Sequence, residues 1–378
     1  MPPNDRPFGW RTLIWNRSLS MSCPCNTSRR QFLKTSLVGG LAAAGAFRLG
    51  ASAIAAEMPA AAARPASRVA LTHGDQRADI TFRALKPFEK EIAAAIGNKR
   101  IVIKPNNVAM DRQLAATHAE TIEGILDFLK SIGKVENAVI AESAANGPTL
   151  DGFANYKYDK VAAKFGVKML DLDQEPVEIV HVFDERDFRP HPMRTSRLLL
   201  DPNTFIISAA KFKTHDRIIA TLSLKNIVVG APVKDLGFRW GRGKPGAKND
   251  KAIVHGNGIR GINYNLFDLS RRLHPHLAVI DGFEGMEGNG PVGGTPVDHR
   301  VCVVSPDWLA ADRVAVELMG IDYANVGYLN YCAAAGMGEG DLKKIEVIGE
   351  PIARHIKKYK LANNIEQQLQ WMKPVPRA

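Results

Sequence analysis

Cysteine is scarce in this chain, with four in 378 residues. None of their spacings matches an iron–sulfur cluster or a haem attachment, so neither cofactor is expected. Cys23 and Cys25 fall in the N-terminal region. Cys302 and Cys332 sit in apolar surroundings and read as small buried hydrophobes, with a single disulfide between them compatible with an oxidising compartment. Long hydrophobic runs are missing too. Past the N-terminal region no stretch reaches the roughly 18 apolar residues of a spanning helix, so no stable membrane insertion of the mature part is expected. Acidic charge is in deficit, and the formal net charge is +11. The excess is local: residues 1–55 hold seven Lys or Arg against Asp5 alone, and residues 231–260 hold seven against Asp235 and Asp250. A basic excess gathered in one loop suits a small anion. Nucleic acid is not an expected partner, because the aromatic-plus-basic surface that single strands need is absent. What is present is ordinary globular composition, 45% hydrophobic and 24% charged, enough for a full core.

Ser28-Arg29-Arg30-Gln31-Phe32-Leu33-Lys34 precedes a weakly apolar stretch from Thr35 to Ala56, and Ala53-x-Ala55 follows the small-residue cleavage pattern. This resembles the twin-arginine export signal, whose paired guanidinium groups are read by a receptor. It implies the twin-arginine export machinery as a partner and a periplasmic or otherwise exported protein, soluble after cleavage. Met21 begins a leader of more usual length, so residues 1–20 read as an over-extended start. The expected organisation is a signal region over 1–56, a flexible joint over 57–67, and a single α/β domain over 68–378.

Five short apolar runs recur, each ending in polar residues: Ile101–Ile103, Ala138–Ala141, Phe205–Ile207, Leu277–Ile280 and Val301–Val304. Most are followed by a helical pattern. Strands feeding helices in this way predict a layered α/β domain with a mostly parallel central sheet. Thr117-His118-Ala119-Glu120 reads as a capping box ahead of an Ile122, Ile125, Leu126, Leu129 stripe. Phe153, Tyr158, Val161, Ala162 and Phe165 suggest a second helix. Ser305, Pro306 and Asp307 read as N-cap, first-turn proline and dipole-compensating acid of a helix from Trp308 to Met319.

Ligands of open α/β sheets bind beyond the carboxyl ends of the strands. Those ends carry Lys104 and Asn106, Glu142, Lys211 with Lys213 and His215, Asp281 with Glu284, and Asp307. Lys211, Lys213 and His215 alternate at period two, so an extended chain projects them to one side. Thr221, Ser223 and Lys225 repeat the alternation. The pattern fits either solvated strand faces or an ammonium cluster for phosphate or carboxylate oxygens. Six glycines between Asp281 and Gly294 accompany Asp281, Glu284 and Glu287. So much glycine forbids a stable helix and lets backbone approach a ligand. The carboxylates are either surface acids of a turn or oxygen ligands for a hard cation. Asp312 lies among apolar neighbours and needs a partner. The 231–260 loop, glycine-rich and basic, reads either as a lid carrying arginine and His255 to the ligand or as disorder. His274 and His276 precede their strand and belong to the opposite, structural edge.

The ordered set Lys104-Pro105-Asn106, Glu142-Ser143, Lys211 to His215, Ser223-Leu224-Lys225-Asn226, His255, Asp281-Gly282, Glu287 to Pro291 and Ala311-Asp312 resembles the domain-of-unknown-function 362 family, from about Arg100 to Gly349. Some members of that family carry ferredoxin-type cysteines, which this sequence lacks. The expected function is a divalent-metal-dependent enzyme acting on a small phosphorylated or carboxylated substrate. His215 or Glu142 is the candidate general base. Lys104, Asn106, Lys211, Lys213, Lys225, Asn226 and His255 bind the anion, and Asp281, Glu284, Glu287 and Asp312 hold the divalent cation. The alternative is a non-catalytic periplasmic binding protein for an anionic ligand or cofactor.

Overall fold

Apolar runs long enough to be buried on both faces form the central strands of a parallel sheet. The computed structural model describes residues 67–374, so the twin-arginine motif, its cleavage pattern and Cys23 and Cys25 lie outside the described residues. The strands are β1 (Ser67–His73), β2 (Arg100–Pro105), β3 (Ala138–Glu142), β4 (Lys168–Asp171), β5 (Val177–Phe183), β6 (Pro190–Ser196), β7 (Thr204–His215), β8 (Ile219–Thr221), β9 (Leu277–Glu287), β10 (Thr295–Ser305) and β11 (Ile345–Gly349). All five expected runs lie inside β2, β3, β7, β9 and β10. Every residue of β7 is buried, as its central place requires.

The main sheet has nine strands in the order β11-β1-β10-β9-β7-β2-β3-β4, with β8 added to β7. From β9 through β7, β2 and β3 to β4 all neighbours are parallel. β10 runs antiparallel to both β9 and β1, and β11 lies parallel to β1. β5 and β6 pair as a separate antiparallel ribbon. The chain passes from β2 outward through β3 and β4, then returns to lay β7 on the other side of β2. That reversal makes a topological switch point, and the crevice beyond the carboxyl ends of β2 and β7 is where such a fold takes a ligand.

The two faces of the sheet carry separate cores. One gathers Val102, Ala210, Phe212 and Ile280 against the helices Ile259–Ser270 and Trp308–Leu318. The other gathers Ile101, Ile103, Phe205 and Val279 against the helices Arg77–Leu85 and Ala119–Ser131. The Ile122, Ile125, Leu126 and Leu129 stripe is fully buried there, and each such side chain contributes about 1.5–3 kcal/mol relative to exposure. Cys302 and Cys332 are buried and free, one in each core, so the sheet separates them. Among the described residues no helix is long and apolar enough to cross a membrane.

Local details differ from the sequence reading. His118, not Thr117, caps the helix Ala119–Ser131 by accepting the Glu120 amide, because Thr117 Oγ1 is taken by the Ala209 carbonyl and the Asn106 amide. The second helix is two, Thr149–Asn155 and Tyr158–Phe165, parted at Lys157, whose φ is 63°. Asp307 is itself the cap of Trp308–Leu318, accepting from Leu309 and Ala310. Ser67, at the end of the expected joint, already belongs to β1. Ser223 and Lys225 do not continue an extended alternation: they lie on the helix Ser223–Val228.

Candidate functional site

Beyond the β2 and β7 ends lies a cavity of about 120 Å³, lined by side chains that include Lys104, Asn106, Glu142, His215, Lys225, Asn226, Lys251 and His255. Most of the substrate-binding and catalytic residues expected from the sequence meet here. Three lysines face the space with one carboxylate.

Asn226 organises the floor. Its Nδ2 donates to the Lys104 carbonyl at 3.1 Å and to Ser208 Oγ at 3.0 Å, while its Oδ1 accepts from Lys104 Nζ at 3.1 Å and Asn106 Nδ2 at 3.2 Å. Both ends of the amide are used, so β2, β7 and the helix Ser223–Val228 are locked together. Lys104 Nζ lies 2.8 Å from Glu142 Oε1 and 2.9 Å from Oε2. Glu142 also accepts the Asn107 amide at 3.0 Å and the Ser143 amide at 2.8 Å. Burial lowers the Lys104 amine and raises the Glu142 carboxyl, and their mutual attraction opposes both. With four donor contacts already on its oxygens, Glu142 is placed as the counter-ion of Lys104 rather than as a free base. Gly230 permits the arrangement, because a methyl group there would overlap the Lys104 ammonium and the Asn226 carbonyl.

The loop 231–260 is docked rather than loose. Arg194 ties its two arms together, holding Asp235 at 2.6 Å and Asp250 at 2.9 Å, and Lys234 is buried on Asp173. The loop delivers Trp240, Asn249, Lys251 and His255 to the cavity. None of its three arginines lines the cavity, and Arg239 pairs with Asp151 on the surface. Lys251 Nζ is held by the carbonyls of Val229, Gly230 and Pro232. His255 Nδ1 lies 2.7 Å from the Lys251 carbonyl, which only an N–H can satisfy, so Nε2 is the bare nitrogen of the neutral ring. Burial, reinforced by Lys225, pushes the His255 pKa down to about 4.

His215 and Lys225 form a second contact, with Lys225 Nζ 2.9 Å from His215 Nε2. Burial lowers both, His215 well below the usual histidine value and Lys225 to about 8. Lys213 donates to Asn106 Oδ1 and to the Ala115 carbonyl just behind the cavity wall. Burial and the nearby Lys225 and Lys211 keep it well below an ordinary lysine.

Lys211 and the four expected metal ligands are not gathered with these groups. Lys211 sits opposite Asp281 in the β7–β9 register. Asp281 accepts from Thr121 at 3.0 Å and from the Phe283 amide at 2.9 Å, with Arg77 Nε at 3.3 Å. Burial pushes the Asp281 carboxyl up, but Lys211 and Arg77 hold it below the usual value. Glu287 accepts the Lys360 amide at the surface, and Glu284 stands on β9 opposite Asp298 of β10. Asp312 is fully buried and accepts from Ser223 N at 2.8 Å, Ser223 Oγ at 2.6 Å and Leu224 N at 3.1 Å. The partner that Asp312 needed is thus the start of the helix carrying Lys225 and Asn226. Among the described residues no three His, Cys, Asp or Glu side chains stand close enough together to hold a metal ion.

Sequence reasoning missed Lys251, Asn249 and Trp240, which belong to a loop rather than to a strand end. One signal was available. Asn249 accepts the Lys251 amide at 3.0 Å, an Asx turn legible in Asn249-Asp250-Lys251. His274 and His276 lie at the other edge as expected, where the His276 amide donates to the Ile206 carbonyl.

The sequence profile of a domain of unknown function, DUF362, matches residues 101–317. The match contains every cavity residue and omits β1 and the edge strand β11. A thylakoid-associated protein of Synechocystis sp. is 25% identical over 229 residues, covering 60% of this chain and 65% of that protein. The chain thus aligns with somewhat less than two thirds of that relative's length. With more than half of its length matched by the profile, the chain belongs to the DUF362 family.

Proposed function

We propose that this chain is an exported enzyme that holds a small phosphorylated or carboxylated substrate in the cavity at the β2–β7 switch point and moves a proton on it. The observation carrying this reading is the charge of the lining: Lys104, Lys225 and Lys251 face one space with Glu142 as the sole carboxylate, itself bonded to Lys104. The Lys104 and Lys251 ammonium groups share that one carboxylate, so the space attracts an anion, and the low dielectric strengthens that attraction. Lysines, rather than a cation held by Asp281, Glu284, Glu287 and Asp312, supply the positive charge here, because those four carboxylates stand in separate bonding sets. His255 Nε2, bare and beside the anion, is the general base in this reading, with His215 fixing Lys225. Export rests on the Ser28–Lys34 motif.

The exported protein incubated with a metabolite extract tests the proposal. Wild type is expected to consume one anionic compound and release a product, and His255→Ala to slow turnover by roughly 10²–10⁴-fold. Recovery of the same intact anion from both proteins, with no product, would instead identify a binding protein.

A further inference from the structure

Lys225 Nζ faces a nitrogen where its neighbours face oxygens. Lys104 Nζ has Glu142, Asn226 Oδ1 and the Pro105 carbonyl. Lys251 has three carbonyls, and Lys213 has Asn106 Oδ1 and the Ala115 carbonyl. Each of these sets suits an ammonium, which has three hydrogens to donate and no lone pair. Burial lowers Lys251 as well, yet its carbonyl surroundings offer an amine lone pair nothing. Among the described residues the hydrogen-bond partner of Lys225 Nζ is His215 Nε2 at 2.9 Å.

The hydrogen on that contact can be placed. His215 Nδ1 lies 3.0 Å from the Arg217 backbone nitrogen, which can only donate. Nδ1 is therefore the bare nitrogen, and in the neutral ring the hydrogen sits on Nε2. Asp216 Oδ1 is also near Nδ1, but at 3.3 Å and on an exposed side chain. Nε2–H then points at Lys225 Nζ, and only an uncharged amine accepts it.

We propose that Lys225 is a nucleophilic amine that condenses with the carbonyl carbon of a small oxo acid, a substrate class that rests on the anion-binding reading of the same cavity. The amine lone pair forms the C–N bond while the carbonyl π pair passes to oxygen. Both amine protons then leave nitrogen, relayed by the bare His255 Nε2, and end on that oxygen. The C–O bond breaks, water departs, and the nitrogen lone pair closes the C=N bond. Nothing is oxidised or reduced. Lys104 and Lys251 supply the positive field for the carboxylate, and His215 is a positioning residue that keeps the amine turned inward. The depressed Lys225 pKa, about 8, is compatible with this role; Lys251 is lowered further, to about 7, so what sets Lys225 apart is its nitrogen partner and not its pKa.

The test uses the full mature chain, glyoxylate as the carbonyl probe and cyanoborohydride to trap the imine, followed by peptide mapping. The carboxymethyl adduct is expected on Lys225 at more than about tenfold the level on exposed lysines such as Lys90 and Lys130. It is expected to vanish in Lys225→Arg and to fall in His215→Phe. A parallel titration with glycolate, which has the carboxylate but no carbonyl, separates the two readings. Glycolate binding with Lys225 unmodified, or with the adduct on Lys251 instead, overturns the amine assignment and leaves the anion site standing. An adduct on Lys225 without binding of glycolate or inorganic phosphate supports the amine and removes the anion site.

Discussion

Asp312 Oδ1 receives both the backbone N–H and the hydroxyl of Ser223, at 2.8 and 2.6 Å. A carboxylate in the middle of one helix thereby fixes the first turn of another, and that turn carries Lys225 and Asn226 into the cavity. Asp312→Ala leaves buried donors on Ser223 and Leu224 without acceptors. The expected loss is roughly 3 kcal/mol, from about 1–3 kcal/mol per unsatisfied group, read by denaturant unfolding. Anion affinity is expected to drop with it, although Asp312 does not line the cavity.

The Lys104–Glu142 pair predicts a double-mutant signature. Glu142→Ala strands a buried ammonium and is expected to cost about 3–5 kcal/mol. Lys104→Met combined with Glu142→Leu removes both charges and is expected to cost less than Glu142→Ala alone. Equal or greater loss in the double variant would mean that the pair is not the unit of stability there.

Stability should depend on pH with a sign that can be worked out. Burial pushes His255 and His299 from 6.5 down to about 4. Unfolding therefore takes up protons between those limits, and each histidine makes stability fall by about 1.4 kcal/mol per pH unit as pH drops through the window. Burial acts oppositely on Asp312, raising it from 3.8 to about 7 against the hydrogen bonds from Ser223 and Leu224. Its contribution is fully present below about 4 and is lost as pH rises through about 7. His276, also pushed down to about 4, and His215, well below the usual value, act in the same sense, so the histidines outweigh the one carboxyl and stability falls toward acid, and Asp312→Asn is expected to steepen that acid slope. Thermal midpoints of both proteins from pH 4 to 6.5 measure it.

The central sheet was legible because Ile101–Ile103, Phe205–Ile207 and Leu277–Ile280 are apolar runs that have no other use. β1, β4 and β11 were not, since Ser67–His73, Lys168–Asp171 and Ile345–Gly349 mix apolar and polar residues, β4 and β11 at the half-exposed edges of the sheet. The strand ends pointed to the right crevice for Lys104, Asn106, Glu142 and His215. They misled for Lys211 and Asp281, whose local partner, Arg77, comes from a helix remote in sequence. Side-chain alternation also failed after Thr221, where the capping oxygen that turns the chain into a helix is supplied by Asp312, a residue far along the chain.

The proposed export signal makes its own prediction. Replacing Arg29 and Arg30 together by lysine keeps positive charge but removes the paired guanidinium groups that an export receptor reads. The variant is expected to stay in the cytoplasm with its N-terminal region uncut. Fractionation that finds it exported and trimmed like wild type would contradict the leader assignment.

Calorimetric titration of the purified mature chain with inorganic phosphate and with glycolate, repeated on Lys225→Met and Lys251→Met, bears most directly on the anion site. The account predicts saturable binding at one site, weakened by added salt through screening of the lysine charges. Lys251→Met is expected to reduce affinity about tenfold or more, the loss of one buried charge contact at roughly 1.4 kcal/mol, and Lys225→Met, which removes an uncharged amine, to reduce it less. Chelator is expected to leave the binding unchanged. The absence of saturable binding by wild type, or binding that disappears with chelator and is indifferent to Lys251, would contradict it.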